Sequence, residues 1–130
     1  MKIRTLVLSS LVIMLVGLFA YAQLTSIKAN IPFAFTVEGK VLPAGQYDFI
    51  PTDNPASIRV QGSGAGAAAI AMVMTRLAGG LHTTPQDAHI VFDKVGNNYT
   101  LSEIWPLDGD GYLVYMTKGK HEHHIVNVPK

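Results

Sequence analysis

The clearest structural signal in the chain is the stretch HIVFDKVGNNYTLSEIW at residues 89–105. Residues 89–95 and 99–105 carry many β-branched and aromatic side chains, and both runs have the length of an ordinary strand. The Gly-Asn-Asn segment at 96–98 tolerates the positive φ angles of a tight hairpin turn. The stretch therefore predicts an antiparallel β-hairpin whose second arm ends at Pro106.

Further short strands are predicted on both sides of this hairpin by alternating apolar and polar residues between turn-forming segments. These strands lie at residues 24–30, 33–37, 46–49, 57–61, 67–75, 112–117 and 121–128. The run at 67–75 is apolar on both faces and is compatible with a buried strand or a short helix. Its length and its neighbours favour a strand. The sequence thus predicts an all-β fold, an antiparallel meander of about eight short strands that forms either a small barrel or a two-sheet sandwich.

The N-terminal segment has the pattern of a Sec signal peptide. Lys2 and Arg4 precede an apolar run at residues 6–20, and Ala-Tyr-Ala follows at 20–22. We expect cleavage after residue 22, which leaves a single β domain at 23–130 and an extracytoplasmic protein, periplasmic or secreted. The alternative is an uncleaved helical anchor, although the run is shorter than the ~20 residues that span a membrane. An uncleaved segment would be the protein's contact with the membrane.

Composition limits the other options. The chain has 130 residues and no cysteine, so disulfides and cysteine-based zinc sites are excluded. It carries ten basic and nine acidic residues, and removal of Lys2 and Arg4 leaves eight basic against nine acidic, a net charge of −1. Because clustered Lys and Arg are absent from the remaining sequence, no nucleic-acid partner is expected.

The stretch IPFAFTVEGKVLPAGQY at residues 31–47 resembles a group of small exported bacterial proteins, of acidobacterial type, that share the pattern IPFxFxVxGKxLPAGxY. Later residues also fit this group, namely Phe92, Gly96, Tyr99, Leu101, Glu103 and Trp105. The resemblance brings no catalytic residue to this chain. Physically, the pattern predicts a strand with an inward face at Phe33, Phe35 and Val37, followed by a chain reversal through Gly39 and Gly45.

The most conspicuous polar cluster is His-Glu-His-His at residues 121–124. On a strand, His121 and His123 point to one side of the sheet and His124 to the other. Two imidazoles at this spacing can chelate zinc or copper, with His82, His89 or a carboxylate as third ligand. The alternative interpretation is a solvated strand near the C-terminus without a bound metal.

Four aromatic residues lie in the second half of the predicted domain: Tyr99, Trp105, Tyr112 and Tyr115. Exposed aromatic rings on a sheet can bind ligands by stacking, whereas buried ones serve as cross-strand pairs. Glu103 shares the parity of Leu101 and Trp105, so a regular hairpin would point it inward with them. There it would either pair with a cation such as Arg59 or Arg76 or lie at the mouth of a polar pocket.

No nucleophile–base constellation is legible in the sequence. The leading hypothesis is therefore an exported, non-enzymatic module that binds an unidentified ligand or supports the cell envelope, without a cofactor. A first alternative is a periplasmic metal-binding protein that uses His121 and His123. A second is a small barrel that carries an apolar ligand in a cavity lined by Met72, Met74, Phe92 and Trp105.

Overall fold

The structure is a computed structural model that describes residues 26–64, 66–79, 87–107 and 109–129. These residues form an all-β fold, and the predicted signal segment lies outside them. The strands are β1 (Ile27–Ile31), β2 (Phe35–Val37), β3 (Lys40–Leu42), β4 (Gly45–Pro51), β5 (Ser57–Gly62), β6 (Ala68–Met72), β7 (Thr75–Leu77), β8 (His89–Val95), β9 (Asn98–Trp105), β10 (Gly111–Leu113) and β11 (Glu122–Asn127). In this part of the chain, no helix has the length and apolarity needed to cross a membrane.

The strands form two sheets. One has four strands in the antiparallel order β1-β4-β5-β6. The other follows the order β11-β8-β9-β10-β7, and β2 joins it through one parallel pairing with β9 while also pairing with β3. Neither sheet closes into a barrel within the described ranges, so the barrel alternative is not the arrangement found.

The two sheets share one hydrophobic core. Strand β1 shows the strict alternation that places Ile27, Ala29 and Ile31 inside and the residues between them outside. From the second sheet, Phe92 and Leu101 join the same core. Full burial of a side chain of this size contributes about 1.5–3 kcal/mol, so this core is the main source of stability in a chain without disulfides.

Most of the predicted strands are found, but their order differs from the predicted antiparallel meander, because strands distant in sequence are neighbours and β2 pairs with β9 in parallel. The single strand predicted at 67–75 is divided between β6 and β7, which lie in different sheets. The hairpin at 89–105 is confirmed as β8 and β9, and the run at 67–75 is extended chain rather than helix. The strand predicted at 112–117 ends at Leu113, because the amides of Val114 and Tyr115 bond to the carbonyl of Ser102 instead of extending the ladder. Strand β3 lies where only a turn-rich connection was predicted.

Glu103 does not share the environment predicted for it. In the β8–β9 ladder Val91 faces Glu103 and Phe92 faces Leu101, so Ser102 is an extra residue in β9. This bulge reverses the side-chain parity, and Ile104 rather than Glu103 joins Leu101 in the core. Glu103 is half-buried, outside that core.

Candidate metal centre

The centre of the candidate site is Asp93, a carboxylate in the interior of β8. Only 2% of its surface is exposed, which is a costly environment for a charge unless the charge is compensated. One carboxylate oxygen, Oδ2, accepts two hydrogen bonds from Thr117. The backbone N–H donates at 3.2 Å and the hydroxyl at 2.8 Å. Thr117 therefore fixes the orientation of the carboxylate.

The second oxygen of Asp93 faces two histidines. Oδ1 lies 3.1 Å from Nδ1 of His123 and 3.9 Å from Nε2 of His121. Oδ1 is inaccessible to solvent. Although Nδ1 of His123 lies 3.1 Å away, Oδ1 accepts no hydrogen bond. The centroids of the two rings are 4.9 Å apart and the ring planes are perpendicular. The negative charge on this oxygen is therefore balanced only when the imidazole rings are protonated, or when another cation lies between the oxygen and the ring nitrogens.

The tautomer of His121 follows from its other contact. Nδ1 lies 2.9 Å from the carbonyl oxygen of Gly119. Because a carbonyl can only accept, Nδ1 must carry the proton, and in the neutral ring Nε2 keeps its lone pair. That lone pair is on the atom nearest to Asp93. A backbone carbonyl that holds one ring nitrogen and directs the other inward is the usual support of a metal-binding histidine.

Two parts of the chain build this site, strand β8 and the continuous stretch 117–123 that leads into β11. His123 on β11 lies directly opposite Asp93 on β8 in the antiparallel ladder, so both side chains emerge on the same face. Gly119 has a φ of 96°, which permits the turn just before β11 and places His121 next to them. Thr117 comes from the irregular segment between β10 and β11. The site exists only when β11 is paired with β8.

The arrangement is suited to a divalent transition metal. The three donor atoms of Asp93, His121 and His123 all lie within 4.8 Å of one another. Ligands about 2.0–2.1 Å from zinc at the tetrahedral angle are roughly 3.4 Å apart, a separation bracketed by the two measured distances to Oδ1. Two imidazoles and a carboxylate suit zinc or copper, and three protein ligands leave a coordination position for water or an exogenous ligand.

The sequence predicted two of the three residues of this candidate site. The structure brings His121 and His123 together, and the third group is the carboxylate of Asp93. His82 lies outside the described residues. The sequence did contain a signal for Asp93, a single acidic residue within an otherwise apolar strand, but it does not show which histidines that residue meets. His124 points away from the site and contacts the rings of Phe33 and Tyr99.

His89 is not a member of the site. It is 1% exposed, its Nδ1 lies 2.7 Å from the carbonyl oxygen of Asp87, and its ring stacks on Trp105 at 5.8 Å. It is a histidine of the interior, supported by a backbone carbonyl and an indole ring.

The four aromatic residues proposed as a ligand face have different surroundings. Trp105 is only 5% exposed, so its ring does not form part of the surface. Tyr99 stacks on Phe33 at 3.8 Å, and the Arg76 guanidinium lies 4.1 Å from the centre of the Tyr112 ring. Tyr115 is exposed. Because the bulge at Ser102 reverses the parity, Trp105 is buried outside the main core, against the ring of His89 and next to Gly111.

The residues predicted to line an apolar cavity are also separated. Met72 and Met74 are exposed, whereas Phe92 and Trp105 are buried. Their environments do not support the apolar-ligand alternative.

Compared with known proteins, the chain matches no family model, no curated protein and no solved structure. The resemblance based on residues 31–47 therefore stays a prediction.

Proposed function

We propose that this protein is an exported β-sandwich that binds one divalent transition-metal ion, zinc or copper, through Asp93, His121 and His123. The observation that carries the proposal is the state of Asp93 Oδ1. This oxygen is buried, accepts no hydrogen bond, and has two imidazole nitrogens at 3.1 and 3.9 Å. The role proposed is binding, and no catalytic step is assigned to the site.

The electrostatics of the site favour a bound cation. A carboxylate oxygen and the Nε2 lone pair of neutral His121 are both electron-rich, and they repel each other unless a positive charge lies between them. A proton on the rings is one solution, and a metal ion is the other. The metal also explains why Thr117 and Gly119 hold the outer atoms of two ligands, as supporting groups do in metal sites.

The architecture and the location form part of the same proposal. Two sheets that share one core support a sandwich. The basic and apolar N-terminal segment supports export. An exported protein without cysteine can keep an imidazole–carboxylate metal site in an oxidising compartment, because these ligands have no thiol to lose.

The test is isothermal titration calorimetry on exported, tag-free protein with Zn²⁺ and with Cu²⁺ as separate titrants. We expect one ion per chain with micromolar or tighter affinity. Asp93→Asn keeps the shape of the side chain but removes the charge, and His123→Ala removes one ligand. Each should weaken binding by at least about 100-fold, consistent with loss of a direct ligand.

His124→Ala is the matched control, because it removes a neighbouring histidine of the same strand from the opposite face. It should leave the affinity within about twofold. Millimolar affinity in the unaltered protein, or equal losses in His123→Ala and His124→Ala, would show that the site does not bind metal specifically.

A further inference from the structure

A second site of interest is the free edge of β6, the last strand of the four-stranded sheet in the described part of the chain. In β6 the odd-numbered residues face β5, as the bond from the Gly62 amide to the Ala67 carbonyl shows at the start of the strand. By alternation, the backbone N–H and C=O groups of Ala68, Ile70 and Met72 point toward the open edge. The side chains of Ile70 and Met72 are exposed as well.

Two charged side chains occupy this edge. The ammonium group of Lys40 donates to the carbonyl of Ala68 at 2.8 Å and to that of Gly66 at 3.2 Å. The carboxylate of Glu38 accepts the amide hydrogen of Met72 at 3.1 Å. Both residues come from the β2–β3 hairpin, which belongs to the other sheet. A donor and an acceptor at the two ends of β6 are thus satisfied by side chains.

The backbone at Glu38 gives independent support. Glu38 and Gly39 form the two-residue turn between β2 and β3, with φ angles of 48° and 77°. Asn-Gly is the preferred sequence for such a turn, whereas glutamate in the left-handed region is unfavourable. Because asparagine would fit this position with less strain, the presence of glutamate indicates that the Glu38 side chain has a role of its own. Its visible contact is the amide of Met72.

We propose that Glu38 and Lys40 close the edge of β6 against pairing with the same edge of a second copy of this chain. The edge is self-complementary. An antiparallel pair of β6 strands centred on Ile70 would place the Ala68 carbonyl of one copy opposite the Met72 amide of the other. Exposed apolar side chains at Ile70 and Met72 would add contact area across that pair. An open edge with these properties is a self-association hazard, and charged side chains are a common protection.

The experiment measures molar mass by sedimentation equilibrium over a range of concentrations, on exported protein in buffer with a chelator so that metal bridging does not contribute. The test variant is E38N/K40M. Asparagine suits the turn but is too short to replace the glutamate contact, and methionine keeps the length of the lysine stem without its donor. The more favourable turn should offset part of the stability lost with these contacts, and a circular dichroism spectrum checks that the variant is folded.

We expect the unaltered protein to remain a monomer, and E38N/K40M to self-associate with a constant at least about tenfold larger. D53N/K118M is the matched control, because it also replaces one acidic residue by asparagine and one lysine by methionine, at two exposed loop residues, and should behave as the unaltered protein. Adding Ile70→Lys to E38N/K40M should restore the monomer, since the two lysines would lie opposite each other at the centre of the pair.

Three results would overturn the proposal: E38N/K40M remains monomeric, the control associates equally, or association survives Ile70→Lys. Amide hydrogen exchange in the unaltered protein gives a second measurement. The Met72 amide, bonded to Glu38, should exchange at least about tenfold more slowly than the Ile70 amide on the same edge. Equal exchange at the two amides would contradict a closed edge.

Discussion

Nδ1 of His123 lies 3.1 Å from Oδ1 of Asp93, and the two residues are direct partners across the β8–β11 ladder. Strand β11 is at the end of its sheet in the described residues and is largely exposed. It therefore has little apolar burial of its own to fix it in place. A metal ion at this point would join the edge strand, the turn at Gly119 and the interior of the sheet, so metal binding and attachment of β11 are coupled.

Thermal stability provides the first prediction. Zinc at about 100 times its dissociation constant should add about 2.7 kcal/mol to the free energy of unfolding, which raises Tm by roughly 10 °C for a domain of this size. Differential scanning calorimetry with and without zinc measures the change. His124→Ala should keep the increase and Asp93→Asn should lose it. The same increase in Asp93→Asn would place the bound ion elsewhere.

The support of the carboxylate by Thr117 provides the second prediction. Thr117→Val removes the hydroxyl that donates to Asp93 at 2.8 Å while keeping the shape of the side chain. We expect about tenfold weaker metal binding and a loss of about 1 kcal/mol in stability. Calorimetric titration and urea unfolding measure the two effects. Thr75→Val, at an exposed residue of β7, is the control. Unchanged affinity in Thr117→Val would mean that Asp93 is positioned without the hydroxyl.

Alkaline pH provides the third prediction. Burial raises the pKa of Tyr47 above its ordinary value of 10.0, and its hydroxyl donates to the carbonyl of Pro43. The folded state thus favours the protonated phenol. This contribution is complete below pH 10, and it is lost as the pH rises from there through the pKa of the folded state.

Urea unfolding between pH 7 and pH 11 tests this in the unaltered protein and in Tyr47→Phe. At pH 7 the variant should be less stable by about 1 kcal/mol, because it lacks the hydrogen bond. The difference should shrink as the pH rises above 10. Tyr115→Phe, at an exposed position, is the control. A difference that stays constant up to pH 11 would contradict the predicted role of Tyr47.

Packing at Gly62 provides the fourth prediction. A Cβ at this position would lie 2.8 Å from a ring carbon of Tyr47 and 2.9 Å from the Cβ of Ala67. Gly62→Ala should therefore cost about 1–3 kcal/mol through overpacking. Gly64→Ala, two residues later, meets nothing within 4 Å and should change stability by less than about 0.5 kcal/mol. Equal effects of the two substitutions in chemical denaturation would rule out the steric explanation.

The local parts of the fold could be predicted because their signals are local. The hairpin at 89–105 has two strand-like runs around a turn-forming segment, and the length and neighbours of the run at 67–75 indicate a strand. The bulge at Ser102 has no comparable signal. The carbonyl of Ser102 accepts hydrogen bonds from the amides of Val114 and Tyr115, and its hydroxyl donates to the carbonyl of Tyr115. These contacts with a later part of the chain accompany the bulge, which turns the side chains of Glu103 and Trp105 to the opposite face from Leu101.

The sequence by itself determined the all-β class, the positions of most strands, and the placement of His123 and His124 on opposite faces of β11, because strand periodicity repeats every two residues. Only the tertiary structure decided which carboxylate faces the two histidines and which side chains reach the β6 edge. Asp93 meets the histidines through the pairing of β8 with β11, and Glu38 meets Met72 through the approach of two sheets. Such contacts depend on register and on the packing of distant segments, which no local alternation of residues encodes.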